Sequence, residues 1–146
     1  MKLLIINGPN MNMLGIREPE IFGTQSYEEL VEFVRKERGA NNELKFMQTN
    51  HEGDIIDEIQ QAYYDQFDGI VINAGGFAHT SIAIMDAIKG SGIPTVEVHI
   101  AEPLLREDYR HHSYAGEAAI ATIAGKGFNG YIEAIDLLYE HIALHS

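Results

Sequence analysis

The chain has 146 residues, of which 45% are hydrophobic, and this size and composition suit one domain, residues 1–146, with a single core. Its 22 acidic and 10 basic side chains leave a formal net charge of -12, so nucleic acid and anionic membrane surfaces are excluded as natural partners. The absence of cysteine excludes disulfides, thiolate metal sites and cysteine nucleophiles.

Apolar runs alternate with helical patterns along the chain. The first run is too short for a signal peptide and no later one approaches a membrane span, so we expect a cytoplasmic protein. The predicted strands are 3–6, 44–47, 69–73, 94–100 and 118–124. Between or after them, helices are predicted to begin near Ser26, Gly53, Thr80 or Ser81, and Gly130. This pattern predicts a doubly wound α/β fold, in which helices cover both faces of one parallel sheet.

Two predicted connections are longer than the short loops that are usual in such folds. They comprise residues 8–25 and residues 100–117, and both follow the carboxyl end of a strand. Ligands of doubly wound domains bind at that edge of the sheet. We therefore expect these two segments and the loop after residue 73 to enclose a ligand site.

The segment INAGGFAHTS, residues 72–81, ends a strand in an unusual way. Asn73 is a poor strand residue, but its amide both donates and accepts hydrogen bonds. Gly75 and Gly76 permit a ligand to approach the backbone closely. His79 follows them, and an imidazole titrates near neutrality, which suits acid-base chemistry or hydrogen bonding.

A second histidine lies at the end of the next predicted strand. His99 follows Glu97 by two residues, so on a strand both side chains point to the same face. The carboxylate could orient the ring or raise its pKa, or the two could form a structural pair. Three arginines lie in the two long connections, and they favour an anionic small molecule as the ligand. These are Arg17, Arg106 and Arg110.

Two other patterns are weaker. The segment GKGFNG, residues 125–130, has the spacing of a dinucleotide-binding motif, but no strand with an acidic residue follows it, so a tight turn between strand and helix is favoured. His141 and His145 lie four residues apart on the last helix and could bind a metal, but solvated surface histidines are favoured.

The string INGPNMNMLGIREPEIFG resembles the N-terminal signature of type II 3-dehydroquinate dehydratase. The likeness continues through QTNHEGDIIDEIQ, INAGGFAHTSIAIMDAI, PTVEVHI and REDYRHHSY, and so covers nearly the whole chain. It implies a flavodoxin-like fold with strand order 2-1-3-4-5, a homo-dodecamer built from trimers, and no metal or organic cofactor. It also implies a reaction in which 3-dehydroquinate loses water through an enolate to give 3-dehydroshikimate.

The resemblance implies catalytic roles for five residues. Asn12 would hold a water that stabilises the enolate oxygen, and Arg17 would set the electrostatics of proton abstraction. Asn73 and His99 would hold the C1 hydroxyl, with His99 as the general acid for its departure and Glu97 behind the imidazole.

The same resemblance implies how the rest of the substrate is bound. The backbone at Ile100 and Ala101 would bind the carboxylate, and His79 and Arg110 would hold the ring hydroxyls. Asp86 would reach across to the site of a neighbouring subunit.

The chain departs from the family pattern at two places. Phe22 stands where the family carries the tyrosine that acts as general base, and phenylalanine has no proton to exchange; Tyr27 is the nearest phenol in sequence. Ala101 and Glu102 stand where a hydroxyl residue and an asparagine are usual. A negative charge at Glu102 is expected to weaken binding of a carboxylate unless the side chain points away.

Three functional hypotheses follow. The first is an active type II dehydroquinase, slowed by the change at Phe22. The second is a weakened or silent family member that binds a related polyhydroxylated carboxylate. The third, a flavin or nucleotide carrier, depends only on analogy between folds and on the segment GKGFNG.

Overall fold

Five parallel strands form one sheet in the order β2-β1-β3-β4-β5 in the computed structural model, which describes residues 1–146. The strands are β1 (Lys2–Asn7), β2 (Glu43–Gln48), β3 (Gly69–Asn73), β4 (Thr95–His99) and β5 (Ala121–Ala124). The flavodoxin-like order expected from the resemblance is therefore confirmed.

Six α-helices connect or follow the strands. They are α1 (Pro19–Phe22), α2 (Tyr27–Arg38), α3 (Glu52–Tyr64), α4 (Ile82–Ser91), α5 (Tyr114–Ala118) and α6 (Asn129–Leu144). The hydroxyls of Ser26 and Ser81 accept hydrogen bonds from the third residue after each, and so cap α2 and α4. None of the six helices combines the length and the hydrophobicity that crossing a lipid bilayer requires.

The sheet separates two apolar cores. Along β1, Leu3 and Ile5 pack into the core beneath α2 and α6, while Leu4 and Ile6 pack into the core beneath α3 and α4. Successive side chains of a strand point to opposite faces, so a strand covered on both sides must be apolar throughout. This explains the unbroken hydrophobic runs of the sequence.

Register brings two polar side chains together at the carboxyl edge of the sheet. Asn7 ends β1 and pairs in register with Asn73, which ends β3. The loops after both strands also lie against each other, because a Cβ atom on Gly8 would lie 2.5 Å from the carbonyl oxygen of Ala74. Glycine is required at this contact, which holds the first long connection against the loop after β3.

The prediction was wrong about residues 118–120, which were expected to begin the last strand. Ala118 ends α5 and β5 begins at Ala121. Parallel neighbours such as β4 and β5 need a crossover between them, and α5 provides it. The two long connections also contain structure: short 3-10 helices at Met11–Met13, Pro103–Leu105 and Asp108–Arg110, together with α1 and α5.

Candidate active site

A cleft opens at the carboxyl edge of the sheet, with about 500 Å³ of free volume including its mouth. Residues from both long connections and from the loop after β3 line it. The predicted site residues that line it are Arg17, Phe22, Asn73, Gly76, His79, His99, Ile100, Ala101 and Arg110. The fold therefore brings together three segments that are far apart in the chain.

His99 ends β4 and lines the cleft, and it also lines a second cavity together with Glu97, Ser113 and Thr122; we call these four residues the strand wall. Glu97 is fully buried, and its carboxylate lies 3.1 Å from Nε2 of His99. The hydroxyl of Ser113 donates to Oε2 of Glu97, and that of Thr122 donates to Oε1 over 2.9 Å. Three donors thus converge on one buried carboxylate.

These contacts decide the ionisation of Glu97. Burial alone would raise its pKa, but hydrogen bonds from His99, Ser113 and Thr122, with the favourable charge of the imidazolium, outweigh burial and hold the pKa below its usual value. An ionised carboxylate accepts only, so Nε2 of His99 carries the proton of their shared bond. Nδ1 of His99 remains available to a ligand.

A glycine lets α5 approach this carboxylate. A Cβ atom on Gly116 would lie 2.8 Å from Oε1 of Glu97 and 3.3 Å from Oγ1 of Thr122. The amide of Gly116 also donates to the hydroxyl of Ser113 over 3.0 Å, which caps α5. The first turn of α5 therefore fixes one donor of the strand wall in place.

Another part of the cleft is lined by Arg17, Phe22 and Arg106 from the two long connections, and we call these three residues and the adjacent Glu18 the loop wall. The ring of Phe22 lies between two guanidinium groups, with Cζ of Arg17 4.5 Å and Cζ of Arg106 5.2 Å from its centroid. Glu18 lies 3.5 Å from Arg17 and 3.9 Å from Arg106. Phe22 therefore presents an aromatic ring, and no proton acceptor, between two cations.

Positive charge is concentrated here. Burial lowers the pKa of Arg17, the neighbouring Glu18 opposes that change, and the cations of Arg106 and Arg110 reinforce it. Arg110 donates from Nε to Glu107 over 2.8 Å. The cleft is thus a local cationic site on an acidic protein, which suits an anionic ligand.

His79 and His99 lie on the same part of the cleft. Their rings are 6.0 Å apart between centroids and nearly parallel, with 15° between the planes. Nδ1 of His79 lies 2.8 Å from the carbonyl oxygen of His112. Since a carbonyl only accepts, Nδ1 donates, which orients the ring and leaves Nε2 for a ligand.

Asn73 belongs to a buried network that the sequence did not reveal. Its amide nitrogen donates to the hydroxyl of Tyr131 over 3.1 Å, and its amide oxygen accepts from the backbone of Gly75 over 3.2 Å. Tyr131 in turn donates to Asn7 over 2.6 Å. Burial raises the pKa of Tyr131, so this phenol stays protonated and acts as a structural link beneath the cleft.

Glu102 points away from the cleft. Its carboxylate accepts from the backbone of Leu104 over 3.2 Å and so caps the short helix Pro103–Leu105. The side chain lines a separate cavity, with about 690 Å³ of free volume including its mouth, that also adjoins His99. Ala101 lines the cleft itself, without a hydroxyl. The expected repulsion between Glu102 and a bound carboxylate is therefore reduced.

Besides Glu97, three residues considered for the reaction do not line this cleft. Asn12 is exposed and lies 3.4 Å from the amide nitrogen of Gln48. Tyr27 packs against the apolar core, and burial raises its pKa, which makes it a poor base. Asp86 lies in a groove between α3 and α4, with Tyr63 and Tyr64. Within one chain, the cleft thus lacks these three side chains.

The two weaker motifs lie at the start and at the end of α6. GKGFNG makes the turn from β5 into α6, with positive φ angles at Gly125 and Gly127, and β5 is the last strand. His141 and His145 stack with their ring centroids 4.2 Å apart. No group of three metal-ligating side chains occurs around them or elsewhere in the molecule.

Comparison with known proteins identifies the family. The model of the family described as dehydroquinase class II matches residues 1–139. A 3-dehydroquinate dehydratase of Fusobacterium nucleatum is 49% identical over 144 residues, which are 97% of this chain and 98% of that protein. The crystal structure of a type II dehydroquinase from Butyrivibrio crossotus superposes with a TM-score of 0.93 at 48% identity, covering 95% of this chain and 97% of the other. A type II dehydroquinase from Propionibacterium acnes superposes with a TM-score of 0.87 at 37% identity and 94% coverage of each chain. The chain belongs to the class II dehydroquinase family.

Proposed function

We propose that this protein is a 3-dehydroquinate dehydratase, a hydro-lyase that removes water from 3-dehydroquinate to give 3-dehydroshikimate in the shikimate or quinate pathway. The observation that carries the proposal is the buried pair of Glu97 and His99, whose imidazole lines one cleft together with Arg17, Arg106 and Arg110. Family membership over residues 1–139 supports the same reaction.

The substrate is an anionic hydroxylated ring, and the cleft matches that chemistry. Arg17, Arg106 and Arg110 attract its carboxylate, and the backbone at Ile100 and Ala101 binds it. His79 and Arg110 hold the ring hydroxyls, and Gly76 leaves room beside the ring. All of these residues line one cleft, which supports a single bound molecule.

Elimination requires a proton to leave C2 and the hydroxyl to leave C1. Phe22 offers no base, so a solvent water takes up the C2 proton. Arg17 stabilises the negative charge that develops in this step, because a fixed cation lowers the energy of the enolate. His99 donates a proton from Nδ1 to the departing hydroxyl, while Asn73 holds that hydroxyl. The buried carboxylate of Glu97 stabilises the imidazolium before the transfer. The resemblance also gives Asn12 a water at the enolate oxygen, although Asn12 lies outside the cleft within one chain, and it places Asp86 in the site of a neighbouring subunit.

Phe22 sets the expected rate. The ring lines the cleft between Arg17 and Arg106 and offers no acceptor for the C2 proton. General acid-base groups contribute about 10²–10⁴-fold in rate, so turnover is expected to be slower than with a phenol at this position. The acid and anion-binding groups are retained, which favours slow catalysis over loss of function.

The test is the ultraviolet absorbance of the conjugated enone product, followed with purified protein and 3-dehydroquinate. A rate that scales with protein concentration supports the proposal. The control is His99→Asn prepared in the same way, because equal rates in both preparations would reveal a contaminating dehydratase. No turnover by the wild-type protein and none by Phe22→Tyr would refute the proposal.

We also propose that the chain acts as one domain, works in the cytoplasm and assembles as a homo-dodecamer of trimers, as its resemblance to the family implies. Asp86 supports assembly, since it lies outside the cleft of its own chain and on an exposed groove beside Tyr63 and Tyr64. Light scattering coupled to gel filtration measures the mass directly. A monomer of 16.3 kDa would refute the assembly.

A further inference from the structure

The strand wall contains a hydroxyl whose position has a consequence for the general acid. Thr122 belongs to the edge strand β5, and its side chain is exposed, yet Oγ1 donates over 2.9 Å to the fully buried Glu97. A threonine on an exposed edge needs no such partner to satisfy its hydroxyl. The hydrogen bond therefore matters more for stabilising the buried carboxylate than for satisfying the threonine hydroxyl.

Each oxygen of Glu97 has a different set of donors. Oε2 accepts from both His99 and Ser113, while Oε1 accepts from Thr122. Without Thr122, Oε1 would be a charged atom in a buried residue with no hydrogen-bond donor, and that arrangement is costly. The carboxylate would relieve the cost by rotating towards another donor or by taking up a proton.

Either response would affect His99. A rotated carboxylate would turn the imidazole away from its present direction, and a protonated one would no longer stabilise the imidazolium. We propose that Thr122 is a positioning residue, which keeps Glu97 ionised and directed at Nε2 of His99 so that Nδ1 can protonate the departing hydroxyl. This inference depends on the proposed function for its kinetic consequences, but not for its structural ones.

The surroundings of Glu97 offer no equivalent donor. On β4 its charged neighbour is His99, on β5 its partner is Thr122, and from the start of α5 it meets Ser113 and Gly116. The charged groups that line the adjoining cavity are His79, Glu102, Arg110, His111 and Glu117. None of those five side chains donates a hydrogen bond to Glu97 in the structure, so none replaces Thr122 without movement.

A substitution at Thr122 is also easier to interpret than one at Ser113. The hydroxyl of Ser113 caps α5 by accepting from Gly116, so its removal would disturb a helix as well as the carboxylate. Thr122 has one recorded side-chain hydrogen bond and lies outside the buried core. Thr122→Val keeps the branched shape that suits a strand and removes only the donor.

The experiment compares Thr122→Val with Thr122→Ser, which retains the hydroxyl. We expect kcat of the valine variant to fall about three- to tenfold with little change in KM, and the serine variant to recover most of the loss. Removing a donor to the ionised form raises the pKa of Glu97, so the acid limb of the pH-rate profile should move to higher pH in the valine variant alone.

Thr95→Val is the matched control. Thr95 lies at the opposite end of β4, is buried, and donates its hydroxyl to the carbonyl of Ile93 over 2.9 Å. Its loss tests the general effect of removing a threonine hydroxyl from this sheet. We expect it to lower the melting temperature more than Thr122→Val does, and to leave kcat and the pH profile unchanged.

A measurement without turnover separates this inference from the proposed function. The pKa of Glu97, followed by carbon NMR of its side-chain carboxyl in the folded protein, should rise in Thr122→Val and return in Thr122→Ser. An unchanged pKa in the valine variant, or equal loss of kcat in valine and serine variants, would overturn the role of Thr122. Absence of turnover in both the wild-type protein and Phe22→Tyr would overturn the proposed function alone.

Discussion

The two sides of the cleft are held in place by different forces. The strand wall places Glu97 and His99 on a central strand, fully or almost fully buried, with hydroxyl donors from two neighbouring segments. The loop wall places Arg17 just before the four-residue helix α1 and Phe22 at its end, held by stacking and by Glu18, whose side chain is 46% exposed. Exposed ion pairs contribute little, about 0–1 kcal/mol each.

This difference predicts which half of the reaction the protein has preserved. The general acid depends on buried geometry, which a single loop substitution does not alter. The general base depends on the loop wall, where Phe22 presents only carbon atoms to the ligand. Glu18 also has a backbone conformation that is unusual for a residue other than glycine, with φ of 35°, which is a sign of local strain in the loop. The protein thus combines a well-ordered acid with a site that lacks the expected base.

The largest expected effect is the loss of the acid. His99→Asn keeps a polar side chain but cannot transfer a proton, so we expect kcat to fall by about 10²–10⁴-fold. Steady-state kinetics with 3-dehydroquinate measure the change, and calorimetry with the product checks that binding persists. A variant that retains more than a tenth of wild-type kcat would show that the strand wall is not the source of the acid.

Phe22→Tyr tests the loop wall and is expected to raise kcat, whereas His99→Asn is expected to lower it. A phenol at this position would lie between Arg17 and Arg106, and two cations lower the pKa of a phenol. We expect kcat to rise by about tenfold or more, because an acid-base group is added to a site already shaped for it. Phe22→Trp is the control, because tryptophan is aromatic but has no ionisable hydroxyl, and it should not raise kcat.

Glu97→Gln tests whether the strand wall stabilises the fold. The pKa of Glu97 is below its ordinary value of 4.5, so folding favours the ionised form, and the resulting stability is present above pH 4.5 and lost as the pH falls below it. We expect the variant to be about 3 kcal/mol less stable near neutrality and to lose less stability than wild type on acidification. Thermal unfolding from pH 7 to pH 3 measures both; parallel curves would contradict the expectation.

The smallest effect is expected from Phe22→Leu. Leucine fills similar space but cannot stack with Arg17 and Arg106, and each such contact contributes about 0.5–1 kcal/mol. We expect KM to rise about two- to fivefold because the arginines are less well oriented, with a small change in kcat. Both proteins carry the same charge, so salt should change their KM values equally. A ratio of KM values that is the same at two salt concentrations therefore reports the orientation of the arginines. A tenfold fall in kcat would instead assign Phe22 a direct part in catalysis.

The sequence by itself determined much of the fold and part of the site. Continuous apolar runs identified the four strands before β5, and the starts of α2 near Ser26 and of α4 near Thr80 or Ser81 were predicted correctly, because these signals are local. The alternation of side chains along a strand also placed Glu97 and His99 on one face, where they are in contact. The five-residue helix α5 was missed, since so short a segment shows no helical periodicity.

Only the tertiary structure decided how distant segments meet. Ser113 and Thr122 are 16 and 25 residues from Glu97 in the chain, and nothing in their local sequence shows that they share its carboxylate. The link between Tyr131 and Asn7 spans 124 residues, and the direction of Glu102 depends on the helix that it caps. Local sequence specifies which side chains are present and their direction on an element; packing of the elements specifies which of them touch.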